Sequence, residues 1–309
     1  MPKYSTIIPI FNEESVIPEL YKRLKQVMDN SNGNYELIFV NDGSKDSSSN
    51  LIKRIGENDH NVKLLNFSRN FGHQIAISAG MDYASGDAVI IIDADLQDPP
   101  EVILEMINKW KEGYEIVYGK RLKRKGETLF KKITAYFFYR FLRNMTGYDM
   151  PVDSGDFRLI DKKVCDSLKK FNEKSRYMRG LISWVGFNQT YVEYVRDARF
   201  AGETKYPLRK MIKFATDAIT SFSYKPLTIA SYFGFAISGL SFLYLLVTIY
   251  QKLFTKTTII GWTSVIAVNL FFNGIILIML GIIGEYIGRI YKETKNRPLY
   301  IVKDKIGFE

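Results

Sequence analysis

Four short apolar runs, each of strand length and each ending abruptly in polar residues, recur through the first hundred positions. They are Thr6 to Ile10, Tyr35 to Asn41, Val62 to Phe67 and Ala88 to Ile92. The runs are continuous rather than alternating, the pattern of strands buried on both faces of a parallel sheet. Between them lie helical stretches. Val16, Leu20, Leu24 and Val27 share one helical face, a second helix is predicted to about Gly56, and a third passes through Ala76, Ala79 and Tyr83. Pro99 and Pro100 then open a fourth. Successive strand and helix units with short loops predict an α/β fold with a mostly parallel, doubly covered sheet and right-handed crossovers.

The pattern changes in the second half. The stretch Thr128 to Met145 is helical and dense in Phe and Tyr. Leu208, Met211, Ile212, Ala215, Ile219 and Phe222 lie on one helical face with Arg209, Lys210 and Lys213 elsewhere, which reads as a helix in a membrane interface. Ile229 to Tyr250 and Thr263 to Gly284 carry no charged residue. At about 1.5 Å per residue each spans the roughly 30 Å hydrocarbon core, so two crossings are expected. The layout is a domain over 1–206, an interfacial helix and linker over 207–228, membrane helices over 229–250 and 263–284 joined by an extracytoplasmic loop, 251–262, and a tail over 285–309.

Charge orients that layout. The loop between the spans holds only Lys252 and Lys256, whereas Lys205, Arg209, Lys210, Lys213 and Lys225 precede the pair and Arg289, Lys292, Lys295 and Arg297 follow it. The positive-inside rule then puts both ends, and the N-terminal domain, on the cytoplasmic side of the cytoplasmic (inner) membrane. The net charge of +10 fits anionic headgroups and phosphorylated ligands better than nucleic acid, because the basic residues cluster beside the apolar spans. A single cysteine, Cys165, rules out a disulfide framework, and two histidines, His60 and His73, rule out a histidine-rich metal site. Asn269 and Asn273 suggest interhelical hydrogen bonds, and Gly284 with Gly288 a small-residue packing pair. Leu299 to Val302 suits an added strand, on this chain or on a neighbouring subunit of a homo-oligomer.

Chemistry enters at the strand ends. The run Ala88 to Ile92 stops at Asp93-Ala94-Asp95-Leu96-Gln97, and Glu13 and Asp42 follow two earlier runs. In open α/β sheets ligands bind at the strands' C-terminal edge. Asp93, Asp95 and the carboxamide of Gln97 offer the hard oxygen ligands Mg²⁺ or Mn²⁺ prefers. Glu14 and Asp46 read as helix caps. No Gly-x-Gly-x-x-Gly follows the first strand and no Gly-Lys-Ser/Thr loop occurs, which disfavours dinucleotide dehydrogenases and P-loop enzymes. Arg121, at the end of the strand-like Glu115 to Gly119, is a candidate phosphate contact. Asp156 follows Gly155, where backbone can approach a ligand closely. Arg176, Arg179, Arg199 and Lys205 follow, and of these Arg199 and Lys205 join Arg121 as candidates to bind a phosphorylated ligand.

Ile8-Pro9-Ile10-Phe11-Asn12-Glu13-Glu14, Val40-Asn41-Asp42-Gly43-Ser44, Asp93 to Glu101 and Ser154-Gly155-Asp156-Phe157-Arg158 together resemble the motif series of family 2 glycosyltransferases. The resemblance is to their polyprenyl-phosphate branch, which includes bactoprenol glucosyltransferases and dolichyl-phosphate mannose synthase. It implies a GT-A fold binding a nucleotide-sugar. Pro9, Phe11, Glu13 and Asp42 match positions that hold base and ribose. Asp93, Ala94, Asp95 and Gln97 match the metal and diphosphate site, and Asp156 matches the residue usually assigned as catalytic base. Phe11 stands where relatives often carry Tyr, so stacking survives and a phenolic hydrogen bond does not.

The expected reaction is inverting transfer of a hexose, with UDP-glucose favoured over GDP-mannose or a UDP-aminosugar, to undecaprenyl phosphate or a similar polyprenyl phosphate. A processive polysaccharide synthase is the alternative enzyme, but Gln-x-x-Arg-Trp and further spans are missing. A membrane assembly subunit that kept the fold is the non-enzymatic alternative. A phosphate monoester is largely a dianion at neutral pH, so Asp156 has little proton to remove and is as well suited to orienting a cation or the sugar.

Overall fold

The computed structural model describes residues 1–122, 154–174, 176–197, 224–250, 254 and 261–308. The aromatic stretch Thr128 to Met145, the amphipathic stretch Leu208 to Phe222, Arg199, Lys205, Lys252 and Lys256 lie outside the described residues. The chain divides into two units, Met1–Phe214 with Arg297–Glu309, and Ala215–Asn296.

The first unit is built on one eight-stranded sheet of order β7-β5-β6-β4-β1-β2-β3-β8. Its first half alternates strand and helix: β1 (Lys3–Ile10), α1 (Ile17–Asp29), β2 (Asn34–Asn41), α2 (Ser48–Asn58), β3 (Val62–Phe67), α3 (His73–Tyr83), β4 (Ala88–Ile91) and α4 (Val102–Lys111). β3, β2, β1 and β4 run parallel, so their C-terminal ends share one edge. The second half is mixed. β5 (Ile116–Arg121) and β7 (Gln189–Tyr194) are parallel to each other, while β6 (Ser154–Asp161) lies antiparallel between β4 and β5. Helices α5 (Lys162–Lys169) and α6 (Met178–Trp184) connect β6 to β7.

The apolar runs are buried as their pattern requires. Ile7, Ile8, Leu37, Ile38, Phe39, Leu65, Ile90 and Ile91 are almost fully enclosed, as are Val16, Leu20, Leu24 and Val27 on α1. Each such side chain contributes about 1.5–3 kcal/mol relative to exposure. Helix α3 sits especially close to β1, because a Cβ on Gly80 would stand 2.3 Å from Ile7 Cγ2. That close approach fixes where α3 begins, and hence where His73 is presented.

The C-terminal strand, β8 (Val302–Ile306), starts where the expected strand at Leu299 to Val302 ends. It pairs antiparallel with β3 of its own chain. β3 leaves an unpaired edge of backbone groups that an extended tail satisfies.

The second unit contains α7 (Lys225–Tyr250) and α8 (Trp262–Thr294), both long and apolar enough to cross a membrane. Phe233, Phe242, Leu277 and Ile278 on them are exposed, as side chains facing lipid would be. α8 continues past Gly284 to Thr294. Asn269 donates to Val265 O of its own helix at 2.9 Å. Among the described residues, no atom beyond the adjoining turns of α8 lies within 4 Å of a Cβ placed on Gly284 or Gly288.

Candidate active site

Three loops at the parallel strands' C-terminal edge are tied to one another. After β1, Asn12 takes a left-handed φ of 56°, its backbone N–H donates to Ser44 Oγ at 2.9 Å, and its Oδ1 accepts from Lys45 N at 2.8 Å. Of the two expected caps, Asp46 Oδ1 accepts from Ser48 N at 3.1 Å at the start of α2, whereas Glu14 does not cap the helix that follows it, and its Oε2 accepts from Ser47 N at 2.8 Å across the loops. Asp42, buried at the end of β2, accepts from Phe71 N at 2.6 Å and Gly72 N at 2.9 Å. Burial pushes its carboxyl up, against those two hydrogen bonds. Each oxygen keeps a further lone pair for a ligand. Gly43 has φ 70°, and a Cβ there would lie 2.6 Å from Arg69 C and Asn70 N. No other residue fits between these loops without moving one.

Phe11 projects beside them with 45% of its surface exposed, an open aromatic face among fixed backbone groups. Pro9 and Ala94 are buried in the edge beneath, and Glu13 is half-buried with its N–H bonded to Ser48 Oγ at 3.0 Å.

The loop after β4 turns sharply. Leu96 is buried yet has φ 55°, a conformation that costs a branched side chain energy and recurs at binding sites. Asp95 Oδ1 accepts from Gln97 N at 3.1 Å, and Gln97 O accepts from Asp197 N at 3.0 Å. Asp98, fully buried, anchors the turn from behind. It accepts from Tyr194 Oη, and Arg121 Nη2 lies 3.3 Å from both its oxygens. Arg121, a sequence candidate for phosphate contact, is 12% exposed and also donates to Tyr194 Oη at 3.1 Å. The space over Gly155 likewise holds Arg121, whose Nη2 would meet a Cβ at 2.5 Å.

Asp156, near the start of β6, is heavily bonded. Oδ1 accepts from Arg179 Nε at 2.8 Å, and Oδ2 accepts from Gln74 Nε2 at 3.1 Å and Arg179 Nη2 at 3.3 Å. His73 Nε2 stands 3.5 Å from Asp156 Oδ2 and 3.2 Å from Asp93 Oδ1. Burial would raise the Asp156 pKa, but Arg179 and His73 outweigh it and hold the carboxyl well below the usual range. Burial would lower His73, and its contacts with Asp156 and Asp93 outweigh that and raise it to about 10. The imidazolium therefore bridges the Asp-x-Asp loop to Asp156 while 43% of its side chain stays exposed.

The structure thus gathers Pro9, Phe11, Glu13, Asp42, Asp93, Ala94, Asp95, Gln97 and Asp156 at one end of the sheet. Arg121 stands behind the loop, Arg199 and Lys205 lie outside the described residues, and Arg176 donates to Phe171 O at 2.5 Å. Sequence reasoning gave no role to His73, Gln74, Asp98 or Tyr194. His73, the first residue of α3 after the loop that follows β3 and one of two histidines, carried the one usable signal.

Among the described residues no three His, Cys, Asp or Glu side chains converge as a ready metal cage. The donor set still suits a hard cation that is shared with a ligand. Asp93 Oδ1 is buried and accepts no aligned hydrogen bond, and Mg²⁺ commonly takes one or two carboxylates and completes its shell with substrate phosphate.

Known proteins resemble this chain along nearly all its length. Residues 5–169 match the pattern of glycosyl transferase family 2, and residues 225–290 match the GtrB C-terminal hairpin. The glycosyltransferase YkcC of Bacillus subtilis (strain 168) is 62% identical over 99% of this chain and 95% of its own. The bactoprenol glucosyl transferase of Shigella phage SfII is 42% identical over 97% of each chain. Among solved structures, glucosyl-3-phosphoglycerate synthase from Mycobacterium tuberculosis with UDP aligns at a TM-score of 0.48 and 17% identity, covering 72% of this chain and 79% of that one. With the family pattern over more than half its length and relatives aligned along nearly all of it, the chain belongs to glycosyl transferase family 2 and carries the GtrB C-terminal hairpin.

Proposed function

We propose that the protein transfers glucose from UDP-glucose to a polyprenyl phosphate, with inversion, at the cytoplasmic face of a membrane. The observation that carries this reading is the 42% identity, over 97% of both chains, to a protein named bactoprenol glucosyl transferase, with the candidate donor residues at one sheet edge.

Phe11 stacks on the base, and Asp42 and Glu13 hold base and ribose from the edges of β2 and β1. Asp93 and Asp95, with Gln97, hold Mg²⁺ or Mn²⁺, which when bound supplies Lewis-acid compensation for charge on the departing diphosphate. An oxygen of the acceptor phosphate forms the new bond to the anomeric carbon as the bond to UDP breaks on the opposite face. That phosphate has a second pKa near 6 and arrives mostly as a dianion. Asp156 is committed to Arg179, Gln74 and His73 and has low proton affinity, which favours a positioning role over that of a base. Arg179 and His73, held by Asp156, present positive charge toward the phosphates, with Arg199 and Lys205 as further candidates.

The hairpin fits the lipid acceptor. The chain leaves the sheet-bearing unit before α7 and rejoins it at Arg297, so any membrane it enters is crossed an even number of times. Lys225 at the start of α7 and Arg289, Lys292, Lys295 and Arg297 around the end of α8 support two crossings with a cytoplasmic catalytic domain, by the positive-inside rule.

The test is transfer of radiolabel from a panel of UDP- and GDP-sugars to undecaprenyl phosphate by the full-length protein in detergent. Label from UDP-glucose in the lipid extract supports the reading. Label from another donor alone replaces glucose, and label in a polymer restores the polysaccharide synthase.

A further inference from the structure

The tail that follows the hairpin reaches the donor loops. Tyr300 lies flat on Phe67, with centroids 5.2 Å apart and planes at 19°, and its hydroxyl donates to Asp82 Oδ2 of α3 at 2.8 Å. Phe67 in turn meets Phe71 edge-on at 5.6 Å, and Phe71 N is one of the two donors to Asp42. The backbone joins in, because Ser68 N donates to Ile301 O at 3.0 Å.

A second path starts at Asp304. Its Oδ1 accepts from Asn66 Nδ2 at 2.6 Å, Asn66 Oδ1 accepts from Asn41 Nδ2 and Ser49 Oγ, each at 2.9 Å, and Asn41 Oδ1 accepts from Ser44 N at 3.1 Å. Ser44 Oγ holds the backbone of Asn12. Asn66 is buried, and a buried amide with all its groups engaged has one orientation. Asp304 selects it, since an acceptor facing Nδ2 forces Oδ1 toward Asn41 and Ser49.

We propose that Tyr300 and Asp304 are positioning residues for the nucleotide-sugar: the segment after α8 sets the β2 and β3 loops that hold the donor. This rests on the donor site proposed above. A consequence concerns order of assembly. The residues that complete the donor edge follow the second membrane helix in the chain, so the site is finished only once that helix has been made and the tail has returned. Both paths end on the donor side, at Asp42, Ser44 and Asn12, so the acceptor is not expected to feel them directly.

The test is titration of UDP-glucose into full-length protein in detergent, with the Michaelis constants for donor and acceptor measured separately. Asp304→Ala is expected to weaken donor binding about tenfold, the equivalent of one charge-assisted hydrogen bond, and to leave the acceptor constant within about twofold. Asp304→Asn keeps an acceptor toward Asn66 and is expected to bind donor within about twofold of wild type. Tyr300→Phe keeps the stack and the strand, loses only the bond to Asp82, and is expected to weaken donor binding about threefold. Unchanged donor binding in Asp304→Ala and Tyr300→Phe overturns the proposal, as does equal loss for donor and acceptor or failure of Asp304→Asn to restore binding. Wild type that binds no UDP-glucose brings down the donor site itself, and this inference with it.

Discussion

Arg179 Nε and Asp156 Oδ1 are 2.8 Å apart in a bond that is almost wholly buried on the carboxylate side, and that bond decides what Asp156 can do. A general base needs a free lone pair facing the proton it removes and a pKa near the working pH. Asp156 fails on the second count, because Arg179 and His73 beside it hold its carboxyl well down, and Arg179, Gln74 and His73 crowd its oxygens. Asp156→Asn is therefore expected to lower kcat about 100-fold or more, because Arg179 loses its counter-charge. The loss should be flat from pH 6 to 9 in a pH–rate profile. Recovery of the variant at high pH would restore Asp156 as a base.

Phe11 offers stacking and no hydroxyl. Phe11→Ala should raise the donor Michaelis constant by about 5- to 150-fold, the range of 1–3 kcal/mol for base stacking on an aromatic ring. Phe11→Tyr should stay within about threefold of wild type. Donor titrations of the two variants check this, and an unaffected Phe11→Ala would place the base elsewhere.

Gly43→Ala puts a methyl 2.6 Å from the backbone of Arg69 and Asn70 at a φ of 70°. Both faults act on the loops that hold Asp42. The variant should lose about 1–3 kcal/mol of stability, measured as a lowered thermal midpoint, together with donor affinity.

Away from the site, Glu36 predicts the acid limb of stability. It is buried, with Lys63 Nζ at 2.8 Å and Ser85 N and Oγ each at 2.8 Å. Burial would raise its carboxyl, but the hydrogen bonds from Lys63, Ser5 and Ser85 outweigh it and leave the folded pKa below 4.5. The group therefore stabilises the fold fully above pH 4.5, and that contribution is lost as pH falls through the folded value. Thermal midpoints of wild type and Glu36→Gln should differ most at neutral pH and converge in acid. A constant gap across pH would contradict this.

The continuous apolar runs made the parallel half of the sheet legible, because Ala88 to Ile92 and its companions are buried on both faces and show it residue by residue. β6, antiparallel between β4 and β5, was harder to read, since pairing direction leaves no mark on a single strand's pattern. The candidate donor residues stood out because they are polar side chains at the ends of apolar runs. His73, Arg179 and Asp156 meet only in the fold, from three separate elements, and spacing along the chain does not encode that meeting. A strand near β8 was expected from the tail, but its pairing lay beyond reach for the same reason, since its partner β3 is more than two hundred residues away, as the bond between Asn66 and Asp304 shows.

The most direct test of the account is the chemical identity of the product. Full-length protein would be incubated with UDP-glucose, undecaprenyl phosphate and Mn²⁺, and the lipid extract examined by mass spectrometry and NMR beside that from Asp95→Ala. The account predicts one hexose per lipid phosphate, in the β configuration, with UDP released in equal amount and neither formed by Asp95→Ala. UDP released without glucosylated lipid, an α-linked product, or undiminished transfer by Asp95→Ala would contradict it.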